Sequence, residues 1–248
     1  MNYNNTSNPV FKESVFRVEG IQDAVMTIHG VLRKSSVSLL LLLCGAFFAW
    51  TRSYASLEDL GSKIVLFSLV SFVLYFITIF NFNAARITVP LYALTEGFIV
   101  GSISWLAQRF YPGIVVQAIT GTFGVFMAML LLYKTGIIRP NEKFAMVLFA
   151  ATLGICFIYL AHWIMTLFSS PGLAIIHSSS PIGISFSAIV CIIAALNLLL
   201  DFEFIVRQSR MGAPEKLEWI AVMGLLVTLI WVYIEILRLL MKLSARRN

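Results

Sequence analysis

Charge is what this sequence has least of. Asp, Glu, Lys and Arg together supply 12% of its 248 residues, about half the share found in an ordinary soluble domain. A water-soluble fold needs more polar surface than that, so this class is excluded. Histidine is also scarce. His29, His162 and His177 are scattered, with no HExxH pair and no acid at metal-ligand spacing. A GxSxG elbow, a phosphate-cradling glycine loop and a dinucleotide fingerprint are all missing. The expectation is a protein that is not an enzyme and carries no cofactor. Cys44, Cys156 and Cys191 lie inside apolar stretches with no CxxC spacing, and read as buried free thiols.

What the chain has in quantity is apolar sequence, 59% of its residues, with a mean hydropathy of +0.89. The excess is segmented into runs of roughly 15–25 residues, the length a helix needs to cross ~30 Å of hydrocarbon. Seven runs stand out: 36–50, 63–80, 89–107, 113–133, 144–168, 182–206 and 218–240. Pro112, Pro140, Pro181 and Pro214 fall in the joints, where a missing N–H is harmless. The reading is an all-α polytopic membrane protein. Residues 1–34 form an N-terminal segment without a cleavable signal, holding either an interfacial helix or a partly ordered tail. Residues 35–242 form the membrane domain, and 243–248 a basic tail. A seventh span that re-enters without crossing is the alternative to seven full spans.

The formal charge is +6 and the pI about 9.4. The basic residues sit beside apolar runs, so the expected partner is the lipid bilayer and its anionic headgroups, not nucleic acid. The face holding the N-terminus would carry Lys12, Arg17, Arg33, Lys34, Arg86, Lys134, Arg139, Lys143, Arg207, Arg210 and Lys216. The opposite face would carry Arg52, Lys63, Arg109, Lys242, Arg246 and Arg247. That bias places the N-terminus in the cytoplasm. The small residues Gly97 and Gly101, and Ala118, Gly121 and Gly124, read as helix-packing faces.

A few ionisable groups remain inside the spans, where a charge costs at least ~2.5–3.5 kcal/mol and usually finds a cavity or a partner. They are Glu96, Asp201, Glu203, Glu218, Glu235 and Arg238. Asp201 and Glu203 lie roughly 200° apart around a helix and cannot share a face; Asp201 is expected to point inward. Glu218 opens the seventh run on the same side as the end of the sixth, and Arg86 lies in a joint on that side too. Asp201, Glu218 and Arg86 are therefore expected to meet at one mouth. Two carboxylates and one guanidinium there would respond to protons, since each acid raises the other's proton affinity and the guanidinium lowers it again. No firm metal site is expected, and Asp201 is the candidate contact for Ca²⁺. Glu235 and Arg238, at i,i+3, read as a local pair at the other mouth.

Several stretches carry a resemblance: "PLYALTEGFIVGSIS", "YPGIVVQAITGTFGVF", "LLLDFEFI", "GAPEKLEW", "WVYIEILRLL" and the "SNPVF" start at residues 7–11. Together they resemble the Bax inhibitor/YccA family, or transmembrane Bax inhibitor motif family, in its bacterial branch. The resemblance implies seven helices with the last one central, in a bacterial inner membrane. It also implies a pH-sensitive cation leak, chiefly of calcium, gated by two acids at the cytoplasmic end. The sixth-helix acid of that pair matches Asp201, and its basic partner matches Arg86. The seventh-helix acid falls at or near Thr228, which cannot ionise; either Glu218 substitutes for it or the pair is absent. Glu96 and Glu235 match acids common in this branch. The alternative function is a non-conducting regulator of a membrane protease or a stress response, with the N-terminal segment as its docking element.

Overall fold

The computed structural model describes residues 24–52, 54, 56–168 and 173–247. The expected N-terminal docking element and the "SNPVF" start therefore lie outside the described residues. Seven helices are long and apolar enough to cross a membrane. They are α1 (Ile28–Thr51), α2 (Leu57–Phe80), α3 (Ala85–Phe110), α4 (Ile114–Thr135), α5 (Glu142–Leu167), α6 (Pro181–Arg210) and α7 (Leu217–Arg247). A 3-10 turn, Phe82–Ala84, leads into α3, and a single helical turn, Ala174–His177, precedes α6. Even the shortest, α4 with 22 residues, is about 33 Å long at 1.5 Å per residue. The chain is an all-α polytopic membrane protein.

Local chemistry sets the helix ends. Thr27, Ser56, Asn141 and Ser180 accept hydrogen bonds from the first-turn amides of α1, α2, α5 and α6, relieving donors that a helix start leaves open. Gly136 closes α4 with φ 72°, a left-handed value that glycine adopts without strain.

The first helix differs from its expected bounds. It begins at Ile28, ahead of the apolar run at 36–50, so residues 28–34 belong to the first span instead of a separate interfacial helix. Arg33 and Lys34 interrupt the hydropathy but not the helix, because Lys34 is buried against carboxylates of α7 and its approach. At the other end, α7 runs to Arg247, so residues 243–247 continue the helix instead of forming a tail. Immediately before this stretch, Lys242 is buried and donates to the carbonyls of Ile176 and Gly183 and to the Ser187 hydroxyl.

The last helix is central, packing against α1, α3, α4 and α6. Its apolar side chains join two cores. Val222 and Leu226 meet Val31, Val89 and Ala93 of α1 and α3. Val232 and Leu237 meet Ala118, Leu198 and Phe202 of α4 and α6. Lipid tails are as apolar as leucine, so close fit and hydrogen bonds decide helix association. A Cβ on Gly97 would run into the Leu42 backbone, and one on Gly101 into Ala46. The small pair is thus where α1 lies directly on α3. The Thr78 and Thr88 hydroxyls join α2 to α3 at 2.6 Å, and those of Ser104 and Tyr233 join α3 to α7 at 2.7 Å. By contrast, α2 leans on α3 and α5 on α6, with exposed outer faces of Phe72, Phe76, Phe149 and Phe157 suited to lipid.

Candidate functional site: buried acids along the central helix

Three levels of acid, two buried and one half-buried, follow one another along α7. The first is at the face where α1, α3 and α7 begin. Residues 24–26 form a short strap on residues 213–215: the Met26 amide donates to the Ala213 carbonyl and the Glu215 amide to the Ala24 carbonyl, both at 2.7 Å. The strap delivers Thr27 to Glu218, whose side chain is 2% exposed. Its Oε1 accepts from the Thr27 amide at 2.8 Å and from the Thr27 hydroxyl at 3.1 Å. Its Oε2 lies 2.8 Å from the Lys34 ammonium, which also reaches Glu215 at 3.0 Å. Gly30 leaves the room for this carboxylate, since a Cβ there would collide with it.

The second level is Asp201. It lies six residues before Arg207, about 9 Å inside the end of its apolar run, and faces α7. Its Oδ1 is 3.7 Å from where a Cβ on Gly224 would stand, and Thr228, one turn further along, is its polar neighbour. The Thr228 hydroxyl donates back to the Gly224 carbonyl at 3.1 Å. Asp201 Oδ2 is buried and has no hydrogen-bond partner among the described residues. A buried polar atom in that condition calls for an explanation.

The third level is Glu235, 1% exposed and about 25 Å along the helix from Glu218. Its Oε1 takes Arg238 at 2.7 Å, the expected i,i+3 pair, and the Tyr159 hydroxyl of α5 at 3.2 Å. Arg238 also donates to Tyr159. Glu235 Oε2 is buried without a hydrogen-bond partner among the described residues, although Arg238 holds the same carboxylate.

The remaining acids are peripheral to these levels. Glu203 accepts from the Tyr133 hydroxyl at 3.0 Å and ties α6 to α4. Glu96 lies beside Tyr92 and Ser71 of α2. The expected meeting of Asp201, Glu218 and Arg86 does not occur. Among the described residues no hydrogen bond or ion pair joins any two of them, because Glu218 is saturated by Lys34 and Thr27, and Arg86 is exposed on the rim. Nor do three His, Cys, Asp or Glu residues converge at metal distance among the described residues. Lys34, Thr27, Tyr159 and Lys242 were not singled out from the sequence as site residues. Lys34 sits at helical spacing from Thr27 and Gly30, so its place on the first span was readable, though its partner was not.

A family model described as Bax inhibitor 1 like matches residues 8–245. The chain belongs to the Bax inhibitor family. No curated protein and no solved structure matches it. In this Bax inhibitor protein the sixth-helix acid faces a hydroxyl, Thr228, at the position where the sequence resemblance implies a second acid. Glu218 does not fill that place. It lies ten residues earlier on α7, about 15 Å away along the axis, with its own cation.

Proposed function

We propose that this Bax inhibitor protein is a pH-sensitive cation leak, with calcium as the chief ion and Asp201 as the ion-facing acid. The observation that carries the reading is the buried, unpartnered Oδ2 between α6 and α7. As a carboxylate without a cation, Asp201 places an uncompensated charge in a packed interior, at a cost of at least ~2.5–3.5 kcal/mol. A cation or water entering between the two helices relieves that cost. Protonation removes the charge and with it the attraction, so flux follows the state of this one group. The aspartate and the Thr228 hydroxyl supply too few oxygens for a resident Ca²⁺, which takes six to eight. The ion passes with part of its water retained, and no tight calcium site forms.

The ion clusters at Glu218 and at Glu235 close the two ends of this resting form. The excess of basic residues on the face where α1 begins supports reading that face as cytoplasmic, in the bacterial inner membrane that the sequence resemblance implies. Purified protein in liposomes loaded with a calcium indicator tests the proposal. The expected result is Ca²⁺ entry that varies between pH 5.5 and 8, and loss of that dependence in Asp201→Asn. An Asn variant with the wild-type flux and pH profile refutes the role of Asp201. Wild-type protein that passes no ion at any pH favours the non-conducting regulator of a membrane protease or stress response instead.

A further inference from the structure

A second site opens at the membrane face where α1, α3 and α7 begin, and it does not depend on ion conduction. A cavity of about 530 Å³ is lined there by Arg33 and Lys34 of α1, Phe82 and Arg86 at the start of α3, and Lys216 and Trp219 around the start of α7. Glu215, the acid in its wall, is held by Lys34 at 3.0 Å. Arg33, Arg86 and Lys216 are exposed and make no ion pair among the described residues. Cations from three separate helix starts thus line one cavity, and the acid in its wall, Glu215, is paired to Lys34 and to none of the three. The start of α3 has no side-chain cap and no acid in its first turn, so its positive dipole end adds to the same field. The apolar part of the wall includes Phe82, which is exposed, and Trp219, whose ring lies 5.4 Å from the Lys34 ammonium.

The chemistry that fits is an anion on an apolar stem, entering sideways from the bilayer. A guanidinium binds phosphate oxygens in pairs, and basic pockets between spanning helices take acidic headgroups. We propose that this cavity binds the phosphodiester headgroup of an anionic phospholipid, with Arg33, Arg86 and Lys216 on the phosphate and the Phe82 and Trp219 side holding the glycerol and first methylenes. The bound headgroup would bridge α1, α3 and α7 on one face of the protein.

The test uses full-length, delipidated protein in neutral detergent, titrated with short-chain phosphatidylglycerol or phosphatidylcholine and read by native mass spectrometry. Wild type should retain phosphatidylglycerol about tenfold more tightly than phosphatidylcholine. The triple variant Arg33→Gln, Arg86→Gln, Lys216→Gln should lose most of that preference. A control with the same charge change elsewhere on that face, Lys134→Gln, Arg139→Gln, Arg207→Gln, should keep it. All six residues are rim groups, and circular dichroism melts verify that both variants fold; the single Lys216→Glu variant, which should also lose the preference, serves if the triple does not. Equal loss in control and pocket variants would mean diffuse surface attraction and would overturn the site. Wild-type preference in the pocket variants would overturn it too. If soluble glycerol phosphate at millimolar concentration displaces the lipid completely, the ligand is a free phosphate ester and the lipid assignment fails.

Discussion

Glu218 is buried and Asp201 half-buried with a buried Oδ2, both on the contact between the central helix and its neighbours, yet their surroundings are opposite. Glu218 has an ammonium at 2.8 Å, an amide, and a hydroxyl. Asp201 has a hydroxyl nearby and one oxygen with nothing. The difference teaches that burial of an acid in a membrane protein does not by itself mark a working site. The set of partners is what separates the two. A carboxylate supplied with every donor it can use holds structure together, and one left short is available to an ion, a proton or water.

That contrast can be broken most directly at Lys34. Changing Lys34→Met leaves Glu218 buried without its cation, and should destabilise the protein by about 3–5 kcal/mol, seen as a lower thermal midpoint in detergent. Adding Glu218→Gln to the same chain should recover much of the loss, since the pair is then replaced and not halved. A double variant no more stable than Lys34→Met would show that Lys34 acts through something other than Glu218. Asp201→Asn should behave the other way: little loss of stability, and a large change in the pH profile of flux.

The comparison sharpens if Asp201 is given a second acid. Thr228→Asp puts two carboxyls within reach of each other, and like charges at such range separate their titrations. Flux in this variant should change with pH in two steps where wild type shows one. A single unshifted step would mean that position 228 does not face Asp201 in the conducting form. The smallest effect belongs to Glu203, the acid two residues away from Asp201. Tyr133→Phe removes its hydrogen bond and should cost about 1 kcal/mol with no change in the pH profile; a changed profile would make Glu203 part of the machinery.

The spans were legible in the sequence where apolar residues alone make the helix. The runs at 113–133 and 144–168 fall within two residues of α4 and α5. Legibility failed at α1, where Arg33 and Lys34 ended the apolar run although the helix continues to Ile28. A charge satisfied from another helix looks, in one dimension, like a loop. The same reason separates the acids. Glu235 and Arg238 were readable as a pair because their contact is local. Thr27 and Glu218 are 191 residues apart, and no spacing rule reaches that far. Asp201 could be aimed inward from its place in the sixth run, but its lack of a partner depends on what α7 presents. That is Gly224 and Thr228, not an acid.

Lys242 sets a limit on how the middle of the protein can rearrange. Its ammonium fastens the far end of α7 to Ile176, Gly183 and Ser187, while Glu218 fastens the near end to α1 through Lys34. A rod clamped at both ends cannot slide like a piston or turn as a whole without tearing one clamp out. The motion left to it is a bow, with the ends still and the centre displaced. Between the clamps, on the side nearer Glu218, glycine replaces a side chain at 224 and the Thr228 hydroxyl pulls on the Gly224 carbonyl, a bond of the kind that bends helices. The lysines therefore confine any flexing of the central helix to the stretch between them, which includes the residues beside Asp201.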